Sequence, residues 1–210
     1  MPVLYFFIFS ALISCSDTPA SSPVFVTSPH GTVCSVDTSF FMRLADSAVS
    51  LTKSKVIYDP SYVNIPYPNG DVAADRGVCS DVIIRAYRKL GIDLQQLVHV
   101  DMTKHFTEYP RKWQRSSADH NIDHRRVPNL MKFFERSNAS RPVTSKAIDY
   151  RPGDIVCWNL YKAVTHIGLV VNVKSGDGER FLIVHNIGSG QVLADCLFSY
   201  KIIGHYRYRK

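Results

Sequence analysis

At Arg141-Pro142 the hydrophobic rhythm of the chain changes, and that change limits the folds open to it. Before it, apolar residues recur at helical spacing. Phe40, Phe41, Leu44, Ala48, Leu51 and Thr52 predict a helix from Ser39 to about Val56, capped by Asp37 or Thr38. Val82, Ile83, Ala86, Tyr87 and Leu90 predict a second helix that opens near Cys79 and stops at Gly91. A third is expected from Leu94 to about Phe106, and a fourth from Pro128, with Leu130, Met131, Phe133 and Phe134 on or near its buried side. Beyond Pro142 the apolar residues come as short β-branched or aromatic runs: Asp154 to Trp158, Ile167 to Val173, Phe181 to Asn186 and Lys201 to Tyr206. Helices first and strands afterwards predict an α+β domain, with N-terminal helices packed on a C-terminal antiparallel sheet.

The 210 residues suit one such domain with a short appendage. Val3 to Ile13 is a continuous apolar run, too short to span a bilayer and the right length for the core of an export signal. It runs into Leu12-Ile13-Ser14-Cys15, which resembles the bacterial lipobox, whose cysteine becomes the lipidated first residue. Residues 1–14 are therefore expected to be a signal peptide. Residues 15–37, rich in Ser, Thr and Pro, are expected to be a flexible tether, and residues 38–210 the folded domain. The protein is expected outside the bacterial cytoplasm, held to a membrane through Cys15 if acylated. Net charge is +7, with the basic residues scattered. That balance fits an acidic partner, and no nucleic-acid module accompanies it.

Cys79 is the residue the helical half presents for chemistry. It sits in the first turn of its helix, where unpaired N–H groups and the positive dipole end favour thiolate over thiol. The alternative is a small buried hydrophobe. Of the other cysteines, one disulfide among Cys34, Cys157 and Cys196 is open to an exported chain, and the sequence selects no pair. No C-x-x-C occurs and no cysteine adjoins a histidine, so neither metal nor cofactor is expected.

A thiol nucleophile needs a base and a group that orients the base. His166 lies at the entry of one predicted strand and His185 at the far end of the next. Antiparallel pairing would make them cross-strand neighbours, with His166 as base and His185 as its orienter. Asn186 then belongs on the opposite face. Arg76 and Arg85 flank the cysteine as candidates to meet a substrate carboxylate. Surface pairing, with Arg85 against Asp81 four residues earlier, is the other reading. The run Asp119-His120-Asn121-Ile122-Asp123-His124-Arg125-Arg126 admits three uses: a metal face, a wall of the substrate cleft, or a polar cap. Asp81, His120, Asp123, His124 and Asn186 join the two arginines as candidate substrate-binding residues. Tyr58, Tyr62 and Tyr67, in the proline-rich stretch before Cys79, are candidates to line the same cleft.

Four pieces in order carry a resemblance: the cysteine opening a helix, Arg151-Pro152-Gly153-Asp154-Ile155-Val156, Thr165-His166-Ile167-Gly168-Leu169-Val170, and Val184-His185. The chain resembles the NlpC/P60 group of papain-like cysteine peptidases and amidases. Within that group it is most similar to the bacterial YijF-like family, over roughly Phe40 to Arg207. Where the NlpC group has Asp-Cys-Ser-Gly around the nucleophile, this chain has Val-Cys-Ser-Asp. The resemblance implies a papain-like fold with Cys79 as nucleophile, His166 as base and His185 as orienting residue. It further implies hydrolysis of an amide through a thioester, with peptidoglycan peptides as the expected partner. A catalytically silent envelope-binding protein and an enzyme for another acyl substrate are the alternatives.

Overall fold

The structure, a computed structural model, describes residues 38–161 and 164–210. The expected signal, the tether, Cys15 and Cys34 lie outside the described residues. Among the described residues no helix is long and apolar enough to cross a membrane.

Helix α1 (Thr38–Leu51) buries Phe40, Phe41, Leu44, Ala45, Ala48 and Leu51 as one stripe. It ends five residues before the expected Val56. The stripe has no further member after Leu51, and Thr52 and Ser54 close tight turns onto Val49 and Leu51 instead. Two short strands that the sequence did not announce follow: β1 (Ile57–Tyr58) and β2 (Arg76–Gly77), paired in parallel. They clamp the mouth of the proline-rich loop and deliver the chain to Cys79.

Helix α2 (Cys79–Arg88) is buried along almost its whole length. The chain leaves it through Gly91, whose φ of 77° only glycine adopts without strain. In α3 (Leu94–Lys104) the Asp93 carboxylate caps the start by accepting from Gln95 N–H at 3.0 Å. Helix α4 (Val127–Arg136) begins with Pro128 in its first turn, where proline's missing N–H costs nothing.

Five strands then form one antiparallel sheet: β3 (Ile155–Asn159), β4 (Thr165–Lys174), β5 (Phe181–Asn186), β6 (Gln191–Ala194) and β7 (Lys201–Tyr206), in spatial order β6-β5-β4-β3-β7. The edge strand β6 escaped the sequence reading because Val192 and Leu193 alone are too short an apolar run. Side chains alternate across the sheet. Ile155, Cys157, Ile167, Leu169, Val171 and Val184 join the helices in the main core. Val156, Trp158, Val170 and Ile183 point the other way, into a smaller core closed by Tyr150 and Leu197. The α+β expectation therefore holds, with helices on one face and a compact strap on the other.

Candidate active site

Cys79 is the first residue of α2, and Val78 before it is extended, with φ −118° and ψ −175°. The Asp81 carboxylate reaches back to accept the Val78 N–H at 2.7 Å, which fixes the turn into the helix. Asp81 is itself held by Arg125, whose Nε and Nη2 each lie 3.0 Å from one carboxylate oxygen. Both side chains are buried, 4% and 2% exposed, and Arg125 also donates to the carbonyls of Asp59 and Ser61. Asn186 Nδ2 donates to the Gly77 carbonyl at 3.3 Å, tying the end of β5 to the residue two before the cysteine.

The thiol lies at the edge of a cleft of about 360 Å³, shared with Tyr58, Tyr62, Trp113, Arg126 and Thr165. The cysteine is 5% exposed. Burial pushes its thiol up to about 12, and the Asp81 charge adds to this. The N–H groups of Ile167, Ser80 and Cys79 act in the opposite sense without prevailing. Desolvation and the Asp81 charge therefore work against the thiolate that the helix start was expected to favour.

His166 and His185 do come together. His166 Nε2 lies 2.9 Å from His185 Nδ1, with the ring centroids 5.1 Å apart. The direct partner of His185 is Gly168, so the histidines form a diagonal pair. A Cβ on Gly168 would meet Ile183 Cγ2 at 2.6 Å and His185 Cβ at 3.2 Å, which is why a glycine separates them. The Trp158 ring lies 5.8 Å from that of His166. Burial, then the His185 charge, pushes His166 down to about 3; burial also lowers His185. Among the described residues His166 Nδ1 makes no hydrogen bond. Beyond the pair, His185 Nε2 lies 3.8 Å from Cys196 Sγ, a contact that nothing in the sequence pattern foretold.

The sulfur and the imidazoles do not meet on one sheet surface. Alternation puts His166 on the Trp158 face, whereas Cys79 approaches from the helix side. Strand β4 reaches the Cys79 cleft at its first residue, Thr165. The β4–β5 register starts at Gly168–His185, and the Ile167 N–H just before it acts to lower the Cys79 thiol against the effect of burial. No hydrogen bond joins thiol and imidazole; Thr165, next to His166, is the β4 residue that shares the cleft with Cys79.

Several other candidates have structural duties. Arg85 pairs with Asp71 at 3.0 Å and donates to the Arg76 carbonyl at 2.8 Å; its expected pairing with Asp81 is not formed. Arg76 is half exposed and binds Asp59 at 2.7 Å. His120 packs at a tilt against Tyr67 and edge-on against His99, at 5.2 and 5.7 Å, so Tyr67 packs there while Tyr58 and Tyr62 line the cleft. His124 is buried and pushed down to about 3 by burial, then by Arg125. Asp123 is buried and pushed up to about 6 by burial. The run from Asp119 to Arg126 is therefore mainly a buried polar hub. Its last residues, Arg125 and Arg126, reach the cleft. Cys79, Cys157 and Cys196 are free thiols.

Fold and site together define an α+β domain with a helix-opening cysteine at an open cleft and a histidine pair at the adjoining strand end. The chain belongs to the DUF1287 family, described as a domain of unknown function, which matches residues 45–208. It is 48% identical over 177 residues to the "Uncharacterized protein YijF" of Escherichia coli (strain K12), covering 84% of this chain and 86% of that protein. Among solved structures it is similar to NlpC1 and NlpC2 from Trichomonas vaginalis, with TM-scores of 0.40 and 0.41 and identities of 16% and 18%. Each match covers 79% of this chain but only 44% and 46% of those proteins, so the chain spans less than half their length. Likeness at that level carries no argument about activity.

Proposed function

We propose that this chain is an exported cysteine hydrolase that cleaves an amide bond, with cell-wall peptides as its substrate. One observation carries the reading. Cys79 opens a helix at an open cleft that Thr165, the residue before His166, also lines, and His166 Nε2 is engaged by His185 while its Nδ1 makes no hydrogen bond among the described residues.

Burial favours the uncharged forms of both groups at rest. The thiol proton therefore passes to His166 Nδ1 as the sulfur attacks, a transfer that requires the two side chains to come within hydrogen-bond reach once substrate is bound. The S–C bond forms and the carbonyl oxygen becomes an oxyanion, for which the Cys79 backbone N–H is a donor. The imidazolium then protonates the leaving nitrogen as the C–N bond breaks. Water, activated by the same imidazole, splits the thioester and restores the thiol.

The net charge of +7 suits the acidic peptides of a bacterial wall. The apolar run Val3 to Ile13 and the Leu12-Ile13-Ser14-Cys15 segment support export and anchoring. The test is to incubate the protein with whole sacculi and identify the released fragments by mass spectrometry. New amine and carboxyl ends at a single bond are expected. The absence of any fragment rejects the reading, and fragments from another acyl material redirect the substrate.

The missing hydrogen bond between thiol and imidazole favours one second reading, an envelope-binding protein that does no chemistry. It predicts retention of muropeptides without their cleavage.

A further inference from the structure

The cleft beside Cys79 is flanked by arginines, and their hydrogen bonding separates structural from available charge. Arg125 spends its donors on Asp81, Asp59 and Ser61. Arg85 and Arg88, which line a separate cavity, bind Asp71 and nearby carbonyls. Arg126 differs. Among the described residues its guanidinium donates no hydrogen bond, and its single ion pair, to Asp123 Oδ1, is 3.7 Å long. That oxygen is buried and has no hydrogen-bond partner either. The other nearby acid, Asp119, is already paired with Arg115 at 2.7 Å.

The Arg126 side chain is nevertheless held in place. Its guanidinium carbon lies 4.1 Å from the centroid of Trp113, a cation–π contact that fixes the plane of the fork. Its side chain is only 16% exposed, so an ion bound there is partly shielded from water. Arg126 and Trp113 line the same cleft as Cys79 and Thr165. Helix α4 opens at Val127 on that wall and adds its positive end to the same field. The volume of about 360 Å³ suits a ligand the size of a dipeptide.

We infer that Arg126, stacked on Trp113, is the carboxylate-binding residue of the cleft. The amide taken by Cys79 then carries a free carboxylate in its acyl or leaving part. This deepens the hydrolase reading and rests on it for the word substrate; the binding site itself does not. A planar, preorganised fork suits a carboxylate's two oxygens, and the charge-assisted bonds it makes are the strong ones.

The test uses the Cys79→Ala protein, so that binding is read without turnover. The probes are N-acetyl-alanyl-glutamate and its uncharged diamide. The signal is the emission of Trp113, which is 38% exposed, whereas Trp158, the other tryptophan, is 1% exposed. The acid is expected to bind roughly ten- to a hundredfold more tightly than the diamide, with a preference that shrinks as salt is raised. Adding Arg126→Gln should abolish the preference. Adding Trp113→Leu, read by calorimetry, should weaken acid binding severalfold and leave the diamide unchanged. The salt dependence needs no second substitution, so it stands if either variant folds poorly. Equal response to both probes, no response to either, or an acid preference that survives Arg126→Gln overturns the inference. Selective acid binding by a wild-type protein that cleaves no amide would sink the hydrolase reading alone. Cleavage indifferent to Arg126 and to the carboxylate would sink this inference alone.

Discussion

His166 Nε2 and His185 Nδ1, 2.9 Å apart across β4 and β5, share a single N–H, so one ring must accept from the other. A second proton on the pair would set two imidazolium charges against each other in a buried place. Burial, then that neighbour, holds His166 down to about 3. A base must be neutral to take the thiol proton, and His166 is neutral at every pH well above that value. The acid limb of kcat/KM is therefore expected near pH 3 to 4, well below the ordinary histidine value of about 6.5. A limb at that ordinary value would contradict the assignment.

The contact between Cys196 Sγ and His185 Nε2, at 3.8 Å, couples the thiol to the tautomer of the histidine pair, because either group can donate. If His185 Nε2–H points at the sulfur, its Nδ1 accepts from His166 Nε2–H, and His166 Nδ1 is left as a base. In that tautomer Cys196 acts as a positioning residue. Cys196→Val is expected to lower kcat severalfold with KM little changed, and Cys196→Ser, which keeps a polar partner, to restore most of it. Unchanged kcat in Cys196→Val would remove this role.

The Asp81–Arg125 pair ties the start of α2 to the loop that carries Arg126. Removing one charge strands the other in a buried site. Asp81→Asn is expected to cost about 3 to 5 kcal/mol in urea denaturation, a loss typical of a broken buried pair. A cost below about 1 kcal/mol would mean that solvent reaches the guanidinium.

His124 and His166 both have folded-state values of about 3 against an ordinary histidine value of 6.5, lowered first by burial. Below pH 6.5 the unfolded chain binds protons that the folded chain refuses. Their contribution to stability is therefore full above that pH and is lost as pH falls toward 3. Asp123, pushed up to about 6 by burial, works the other way: its contribution is present at low pH and lost as pH rises through 6. His185, also lowered by burial, adds to the two histidines, so a net loss, on the order of a few kcal/mol, is expected between about pH 7 and pH 4. Urea midpoints across that range check the slope, and His124→Asn should flatten it.

What the sequence revealed followed from periodicity. The Phe181 to Asn186 and Lys201 to Tyr206 runs are strands with those bounds, and α2 begins at Cys79 and is left through Gly91, as the spacing predicted. Proximity of His166 and His185 was legible because antiparallel pairing brings the end of one strand to the start of the next. The approach of Cys79 was not. Which sheet face the helices cover depends on whether Ile167 or His166 turns inward, and both parities are compatible with THIGLVV until the partners of Ile167 and Trp158 are known. Nor did sequence distance separate Arg125 from Arg126. Adjacent residues of the same type part only when Asp81, 44 positions away, claims one of them. Cys196 offered no signal, because the strap that carries it has no periodicity.

The central claim is that Cys79 and His166 act on one carbonyl. Its most direct test is the rate of fragment release from sacculi by the wild type, Cys79→Ala and His166→Ala, each shown by circular dichroism to be folded. Loss of roughly a thousandfold or more in both variants is the predicted result. Release at the wild-type rate by either folded variant would contradict it.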